Sequence, residues 1–418
     1  MTDTTTPEAV RGPDQPIIDL LGHARMAAAH ELAALIDRCA QELGASRAIA
    51  YLADLQQQVL VPFIAPSGPG DETVLTVLSV DATLAGRTFQ TFDVHTQDAG
   101  IDGIRIWLPL LVGTDRLGVL GVTVDDAALL EPDGTFVVLL ARLASVAAEL
   151  IVSKSGYGDT VVRLRRRTEM GLAAEMQWSL LPALTFTSRP VTVAAALEPA
   201  YHVAGDTIDY AVDAGMTSIA IFDGMGHGLQ SAQCAVLAVA AYRNARRSYR
   251  SLTETMNSID EALVTALAGE VFTTAVLAQL DTDSGLLQWA NAGHPEPLLL
   301  RNGRLVKTLH LDPRPPLGFG DLLPGDPVAI GNEQLEPGDR VLLYTDGVVE
   351  ARSPDGEFFG VDRLVDLVVR HLAGGLPAPE TMRRVVRELL DHQQGPLSDD
   401  ATLLMLEWRG DNEEAVLT

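Results

Sequence analysis

The sequence predicts an α+β protein with two domains. Its 418 residues exceed the length of one ordinary domain. Hydrophobic residues make up 47% of the chain, enough to bury two sizeable cores. In the second half, many short apolar runs are joined by hairpin-type turns and few helices come in pairs. That pattern is typical of an α+β sandwich and not of a parallel sheet.

The charge and the cysteine count narrow the possible functions. The net charge of −26 argues against a nucleic-acid partner, because phosphate binding needs a basic surface. It is compatible with cation-binding acidic pockets, although solubility alone also explains it. The two cysteines, Cys39 and Cys234, lie in alanine-rich helical patterns without zinc-type spacing, which predicts buried thiols in a reducing cytoplasm. No signal peptide or membrane span is evident, so no membrane partner is expected.

The first predicted domain covers residues 17–152, after a disordered leader at 1–16 that is rich in Thr, Pro and Asp. A helical pattern spans 17–43 and ends at Gly44, and another spans 135–152. Between them, alternation and turn residues predict four strands and one helical turn: strands at 46–55, 58–64, 104–112 and 117–124, and the turn at 80–85.

This order of elements resembles a GAF sensor domain, together with Gly86-Arg-Thr-Phe89 and the stretch from Leu108 to Val122. The resemblance implies a small-molecule ligand between sheet and helices, or a homodimer. A packing module without any ligand is an equal alternative. The loop region between Pro66 and Gly103 contains no cysteine, which argues against a thioether-linked bilin.

Residues 153–182 form a predicted helical linker. Its helix spans 160–181, and Pro182 ends it. Four arginines, at 163, 165, 166 and 167, form the densest basic cluster in the chain. They could contact an acidic partner, but a solvated linker face is the favoured interpretation. A helix between two domains could transmit a signal from the sensor and could contribute a dimer contact.

The second predicted domain, residues 183–410, is followed by a tail at 411–418 and contains acidic residues at the ends of apolar runs. The apolar run from Ile219 to Phe222 ends in Asp223, and Gly224 follows. The others are Asp206, Asp346, Asp399 and Asp400. Each alone is an ordinary turn residue, since Asp and Gly dominate turns. Several together suit hard divalent cations, which prefer oxygen ligands. His227 is the nearest candidate acid, with a structural role as the alternative.

A second resemblance rests on motifs that occur in order through residues 172–409. They are Met176-Gln-Trp-Ser-Leu-Leu-Pro182, Val203-Ala-Gly-Asp-Thr-Ile-Asp209, Phe222-Asp-Gly-Met-Gly-His-Gly228, Phe272-Thr-Thr-Ala275, Ala290-Asn-Ala-Gly-His-Pro295, Pro316-Leu-Gly318, Tyr344-Thr-Asp-Gly-Val-Val-Glu350, Phe359-Gly360 and Ser398-Asp-Asp-Ala-Thr-Leu403. The set resembles the metal-dependent protein serine/threonine phosphatases of type 2C, in their bacterial sporulation and stress-response branch.

The resemblance implies an αββα sandwich that binds two Mn²⁺ or Mg²⁺ ions. Asp206 would bind one metal, and Asp223 would bridge both with the Gly224 carbonyl as a further ligand. Asp346 and Asp399 would hold the second metal, with Asp400 as the alternative to Asp399. Ala204 and the pair Thr207-Ile208 depart from the usual pattern of the branch, which puts the usual substrate in doubt.

Two functions follow as hypotheses. The first is a protein phosphatase that hydrolyses phosphoserine or phosphothreonine with a metal-activated water, and that its sensor regulates. Its substrate would be a phosphorylated anti-sigma-factor antagonist. The second is a non-catalytic signalling scaffold that binds a regulatory partner. The complete set of aspartates favours the enzyme, since a scaffold has no need to keep them.

Overall fold

The computed structural model describes residues 12–64, 76–100, 103–130, 134–198, 201, 205–226, 228–267, 271–312, 314–319, 328–395, 397 and 399–410. The predictions for residues 1–11, Ala204, His227 and the tail at 411–418 lie outside the described residues. The chain divides into two compact units, residues 1–167 and 168–418. Each unit has its own hydrophobic core.

The N-terminal unit contains one antiparallel sheet of six strands in the order β3-β2-β1-β6-β5-β4. Its strands are β1 Arg47–Ala53, β2 Val59–Phe63, β3 Leu78–Ser79, β4 His95–Asp98, β5 Ile104–Val112 and β6 Asp115–Val124. Its helices are α1 Gln15–Ala24, α2 Leu32–Glu42, α3 Leu84–Thr91, α4 Thr135–Ser155 and α5 Thr160–Arg165. The predicted order of a helical segment, four strands and a closing helix is observed, and β3 and β4 are strands that were not predicted.

Both faces of this sheet are covered. Helices α1, α2 and α4 pack on one face around Leu52, Leu108 and Leu120. Helix α3 packs on the other face, where Phe89 and Trp107 are buried. Helix α4 is also long and apolar enough to span a membrane, but by length and composition only. Its apolar side contributes to the core of the unit.

Two predicted helices of this unit have different boundaries in the structure. The pattern at 17–43 is divided into α1 and α2, and α1 begins at Gln15. The predicted turn at 80–85 lies too early, because α3 begins at Leu84. Thr83 caps α3 by accepting a hydrogen bond from the Gly86 N–H (3.0 Å). Gly86 must be glycine, since a Cβ atom there would lie 2.0 Å from the Val80 carbonyl oxygen.

The predicted continuous helix at 160–181 is wrong. The structure has two short helices, α5 and α6 Leu172–Trp178. Arg165 Nε donates to the Ala53 carbonyl (2.9 Å), and the Leu55 N–H donates to the Arg165 carbonyl (3.1 Å). These bonds fix α5 to the sheet of the N-terminal unit. Part of the arginine cluster therefore serves internal packing, while Arg163 is exposed beside Asp159.

The C-terminal unit contains α6 and two antiparallel sheets flanked by helices. The five-stranded sheet has the order β15-β12-β11-β10-β9, and the six-stranded sheet has the order β14-β13-β16-β17-β8-β7. The strands are β7 Thr185–Thr187, β8 Val191–Glu198, β9 Asp206–Asp213, β10 Met216–Gly224, β11 Thr273–Asp281, β12 Leu286–Ala292, β13 Leu298–Arg301, β14 Arg304–Thr308, β15 Gly331–Gln334, β16 Arg340–Tyr344 and β17 Ala401–Trp408. The helices are α7 Leu229–Arg247, α8 Leu252–Leu267, α9 Asp346–Val349, α10 Val361–Ala373 and α11 Ala378–Gln393.

The layers of this unit follow from alternation along its strands. In β10, Ile219 and Ile221 face the second sheet, whereas Ala220 and Phe222 face α7 and α8. In β17, Leu404 faces the first sheet and Leu403 faces α10 and α11. The unit therefore has four layers in the order helices, sheet, sheet, helices, and an apolar core lies between each neighbouring pair of layers. The predicted αββα sandwich is confirmed for the described residues.

Candidate metal centre

At one end of the sandwich, the inward-facing side chains of the first sheet change from apolar to acidic. In β10 the inward series Ile219, Ile221 continues to Asp223, since side chains alternate along a strand. In β9 the inward residue before Ile208 is Asp206. The two strands are antiparallel, and their register places Asp206 directly opposite Asp223. Two carboxylates thus lie side by side at the mouth of the sandwich.

The second sheet meets them from the opposite side. Strand β16 ends at Tyr344, and Thr345 then donates from Oγ1 to Asp206 Oδ2 (2.7 Å). Thr345 Oγ1 in turn accepts from the Thr402 N–H (2.9 Å), which is in β17. Asp346 follows directly as the first residue of α9. The Thr345 hydroxyl therefore connects Asp206 to strand β17. Thr345 also directly precedes Asp346, a second candidate ligand.

The adjacent carboxylates Asp399 and Asp400 have different surroundings. Asp400 is 4% exposed, and its Oδ2 accepts from the N–H groups of Gly205 (2.8 Å) and Asp206 (3.3 Å). Asp399 is exposed, and its Oδ1 accepts the N–H of Asp400 (2.9 Å). Asp400 therefore fixes the start of β9, whereas Asp399 faces solvent at the rim of the site.

Burial and like charge raise the pKa values of these groups. The pKa of Asp223 is raised from 3.8 to about 7 by burial and by the charges of Asp346, Asp399 and Asp400. Burial, together with Asp223 and Asp400, also raises the pKa of Asp206 well above its ordinary value. Burial and Asp399 raise that of Asp346. The structure thus brings all the predicted carboxylates together, in an arrangement that a bound cation would stabilise.

Small residues let the backbone segments of the site approach one another. A Cβ atom on Gly347 would lie 1.9 Å from the Asp400 carbonyl oxygen. A Cβ atom on Gly205 would lie 2.4 Å from the Gly224 carbonyl oxygen. That Gly224 oxygen, a predicted ligand, accepts a hydrogen bond from Ser231 Oγ (2.9 Å). Among the described residues, no three His, Cys, Asp or Glu side chains already have the arrangement of a metal-ligand set.

Comparison with known proteins shows what the C-terminal unit is similar to. The family model for stage II sporulation protein E, SpoIIE, matches residues 213–409. This part of the chain is therefore similar to the SpoIIE family of type 2C phosphatase domains. The match confirms the resemblance predicted from the motifs.

Individual proteins and solved structures are also similar to parts of the chain. Protein IcfG of Synechocystis is 31% identical over 135 residues, which are 32% of this chain and 20% of IcfG. The phosphoserine phosphatase RsbU of Bacillus subtilis is 25% identical over 240 residues, which are 57% of this chain and 70% of RsbU. The solved structure of the SiaA-PP2C domain of Pseudomonas aeruginosa is 25% identical with a TM-score of 0.47, covering 56% of this chain and 94% of that one. The chain thus spans one fifth of IcfG.

Sequence reasoning missed an ion-pair group in β9, the strand that begins with Asp206. Asp209, three residues after Asp206, is 1% exposed and pairs with Arg243 (2.7 Å) and Arg246 (3.3 Å) of α7. Arg243 Nη2 also donates to the Leu180 carbonyl (2.6 Å), just after α6. The sequence did single out Asp209, because it is the last residue of the motif that begins at Val203. Its partners could not be read from the sequence, since Arg243 lies 34 residues away in the chain and Arg246 lies further still.

Proposed function

We propose that the protein is a metal-dependent phosphatase that hydrolyses phosphoserine or phosphothreonine in a protein substrate. The observation that supports this most is the convergence of Asp206, Asp223 and Asp346 with two further carboxylates at one end of the sandwich. Similarity of residues 213–409 to the SpoIIE family supports the same reaction. The related RsbU is itself a phosphoserine phosphatase.

The donor set fits divalent cations. It consists of oxygen atoms, the ligands that Mn²⁺ and Mg²⁺ prefer, and its carboxylates repel one another unless a cation is present. We assign Asp206 to one metal, Asp223 to both with the Gly224 carbonyl as a further ligand, and Asp346 to the second. Asp399 would complete the second site. Asp400 is the weaker candidate, because its Oδ2 already accepts hydrogen bonds from the main-chain N–H groups of Gly205 and Asp206.

A pair of such ions, when bound, supplies an activated water near neutral pH and neutralises the phosphate oxygens. The chain's own contribution is to hold the carboxylates in place. Thr345 orients Asp206 through its 2.7 Å hydrogen bond, and Asp400 fixes the main chain of the same residue. Thr273 Oγ1 donates to the Asp223 carbonyl (2.8 Å) and holds the end of β10 against β11.

The scaffold hypothesis finds less support. A non-catalytic partner-binding domain gains nothing from clustered carboxylates whose pKa values are raised by burial and by mutual repulsion. Retention of five of them at the mouth of one sandwich therefore favours catalysis. A purified protein that bound no divalent cation would favour the scaffold hypothesis.

We propose a phosphorylated anti-sigma-factor antagonist, or a similar phosphoprotein, as the substrate in the cytoplasm. The N-terminal unit would act as a GAF-like sensor that controls activity through ligand binding or homodimerisation. Its six-stranded sheet with helices on both faces supports this assignment. The buried free thiols of Cys39 and Cys234 fit a reducing compartment.

Phosphate release tests the proposed function directly. The full-length protein, stripped of metal with EDTA, is expected to release phosphate from a phosphoserine peptide and from p-nitrophenyl phosphate when Mn²⁺ is added back. Mg²⁺ is the parallel titration. Asp283→Asn, an exposed turn residue at another position, serves as the matched control and should retain full activity. Absence of turnover with either metal on any phosphoprotein would overturn the proposal.

Alanine variants of the two neighbouring aspartates should separate metal binding from folding. We expect Asp400→Ala to lower the free energy of unfolding of the metal-free protein by about 2 kcal/mol, because two main-chain N–H groups lose a charged acceptor. Asp399→Ala should change it by less than about 0.5 kcal/mol, since the side chain is exposed. Asp399→Ala should instead weaken Mn²⁺ binding. Urea unfolding in EDTA and calorimetry with Mn²⁺ measure the two effects, and equal unfolding losses would contradict the assignment.

A further inference from the structure

His294 is a buried residue of the C-terminal unit to which the proposed function gives no role. It follows β12 in the turn Asn291-Ala-Gly-His294 and is 5% exposed. The Asn291 side chain closes this turn, accepting from the His294 N–H (2.9 Å) and donating to the His294 carbonyl (2.8 Å). Gly293 has φ of +68°, a conformation that favours glycine. The turn therefore holds the imidazole in one fixed place.

The imidazole contacts both sheets. Its Nδ1 lies 2.7 Å from Thr274 Oγ1, in β11 of the five-stranded sheet. The ring also interacts with the main chain at Tyr344, at the end of β16 in the six-stranded sheet. Because Nδ1 faces Thr274, Nε2 is the atom left for Tyr344. Nε2 is buried and makes no hydrogen bond of standard geometry within the described part of the chain, so its interaction with Tyr344 is a looser polar contact.

The imidazole is neutral in this environment. Burial lowers the pKa of His294 to about 3, although the main-chain contact at Tyr344 acts in the opposite direction. A neutral imidazole has one donor and one acceptor nitrogen. Nδ1 accepts from the Thr274 hydroxyl, and the Nε2 proton is available to the Tyr344 carbonyl. The ring therefore serves as a connector between the sheets.

Both partners of His294 lie beside candidate metal ligands. Thr274 is directly opposite Asp223 in the β10–β11 ladder. Tyr344 precedes Asp346 by two residues. The distance between the Asp223 and Asp346 carboxylates thus depends on how closely the ends of β11 and β16 are held together. Thr345 makes a comparable connection for Asp206.

We propose that His294 is a positioning residue that joins the two sheets at the carboxylate end and so sets the spacing of Asp223 and Asp346 for metal binding. The inference rests on the proposed function, but its main test measures Mn²⁺ affinity and does not depend on phosphatase activity. His294 contacts neither aspartate through a hydrogen bond in the described structure, so its effect passes through Thr274 and Tyr344.

Variants of the full-length protein can test each contact separately. His294→Ala removes both contacts, His294→Asn keeps an acceptor near the Nδ1 position, and His294→Gln keeps a donor near the Nε2 position. Thr274→Val removes only the hydroxyl partner and is the variant to use if His294→Ala fails to fold. His310→Asn is the matched control, because His310 is exposed and pairs only with Glu296 among the described contacts.

Mn²⁺ affinity by titration calorimetry is the main measurement, with kcat and the Mn²⁺ half-saturation constant beside it. Loss of an outer contact that orients ligands typically costs tenfold to a hundredfold in metal affinity. We therefore expect His294→Ala to bind Mn²⁺ at least about tenfold more weakly, and His294→Asn, His294→Gln and Thr274→Val to lie between it and the wild type. At saturating Mn²⁺, kcat should largely recover.

Unchanged Mn²⁺ affinity in a folded His294→Ala or Thr274→Val variant would overturn the inference. A loss of kcat at saturating Mn²⁺ with normal affinity would also overturn it, since that result indicates a direct catalytic role. If the wild type binds Mn²⁺ but hydrolyses no phosphoester, the proposed function fails while the calorimetric comparison still decides the role of His294.

Discussion

Replacement of Asp223 by asparagine is expected to reduce Mn²⁺-dependent phosphate release by about a thousandfold. Asp223 lies at the centre of the cluster, and its pKa responds to Asp346, Asp399 and Asp400. Asparagine has nearly the same shape but carries no charge, so it cannot bridge two cations. The metals are expected to contribute several kcal/mol of transition-state stabilisation, and each 1.36 kcal/mol is tenfold in rate. Steady-state kinetics across an Mn²⁺ titration measures the loss.

The same substitution should stabilise the metal-free protein. Burial and neighbouring negative charges disfavour the ionised Asp223 carboxylate, so a neutral amide removes repulsion from the folded state. Thermal unfolding in EDTA at pH 8 is therefore expected to occur at a higher temperature in Asp223→Asn than in the wild type.

The rate measurement decides the metal assignment. If Asp223→Asn keeps the wild-type rate of phosphate release, or if the Asp283→Asn control loses as much activity, Asp223 does not bind both metals.

The stability of the metal-free protein is expected to fall as the pH rises from 5 to 8. The folded-state pKa of Asp223 is about 7, against 3.8 for an ordinary aspartate. A raised carboxyl pKa means that the folded state binds the proton more tightly than the unfolded state. Its contribution to stability is complete below about pH 4 and is lost as the pH rises through about 7. Asp206 and Asp346 shift in the same direction and add to the effect.

Saturating Mn²⁺ should reverse this trend. Metal binding needs ionised carboxylates, so protons compete with Mn²⁺ and the metal stabilises the fold more at pH 8 than at pH 5. Melting temperatures at a series of pH values, with EDTA and with Mn²⁺, give the two curves. Asp223→Asn separates this effect from histidine titration, because the variant should show a flatter EDTA curve. Identical slopes in wild type and variant would contradict the assigned cause.

Much of the fold could be predicted because local patterns dominate it. The strand Ile104–Val112 has the same bounds in the prediction and in the structure, and helix α4 begins at Thr135 as predicted. Both are long, strongly periodic and bounded by turn residues. Prediction failed where an element is short or polar. Strand β15, Gly331–Gln334, has no apolar alternation and depends on pairing with β12.

The linker shows a different reason for failure. Its apolar positions between 160 and 181 fit one helix, but the structure divides them into α5 and α6. Hydrogen bonds between Arg165 and the main chain at Ala53 and Leu55, more than 100 residues earlier, hold α5 on the N-terminal sheet. A periodic pattern contains no information about such distant partners, so tertiary contacts overrode local propensity.

The sequence by itself determined which residues could form the site. Each aspartate stands at the edge of an apolar run beside a small residue, and the order of the motifs predicted the resemblance to the type 2C phosphatases. Only the tertiary structure decided how those residues divide their roles. Antiparallel pairing places Asp206 opposite Asp223, and burial distinguishes Asp400 from Asp399. The raised pKa values and the connection through His294 likewise arise between strands that are distant in the chain, because burial and charge proximity exist only after the two sheets have packed together.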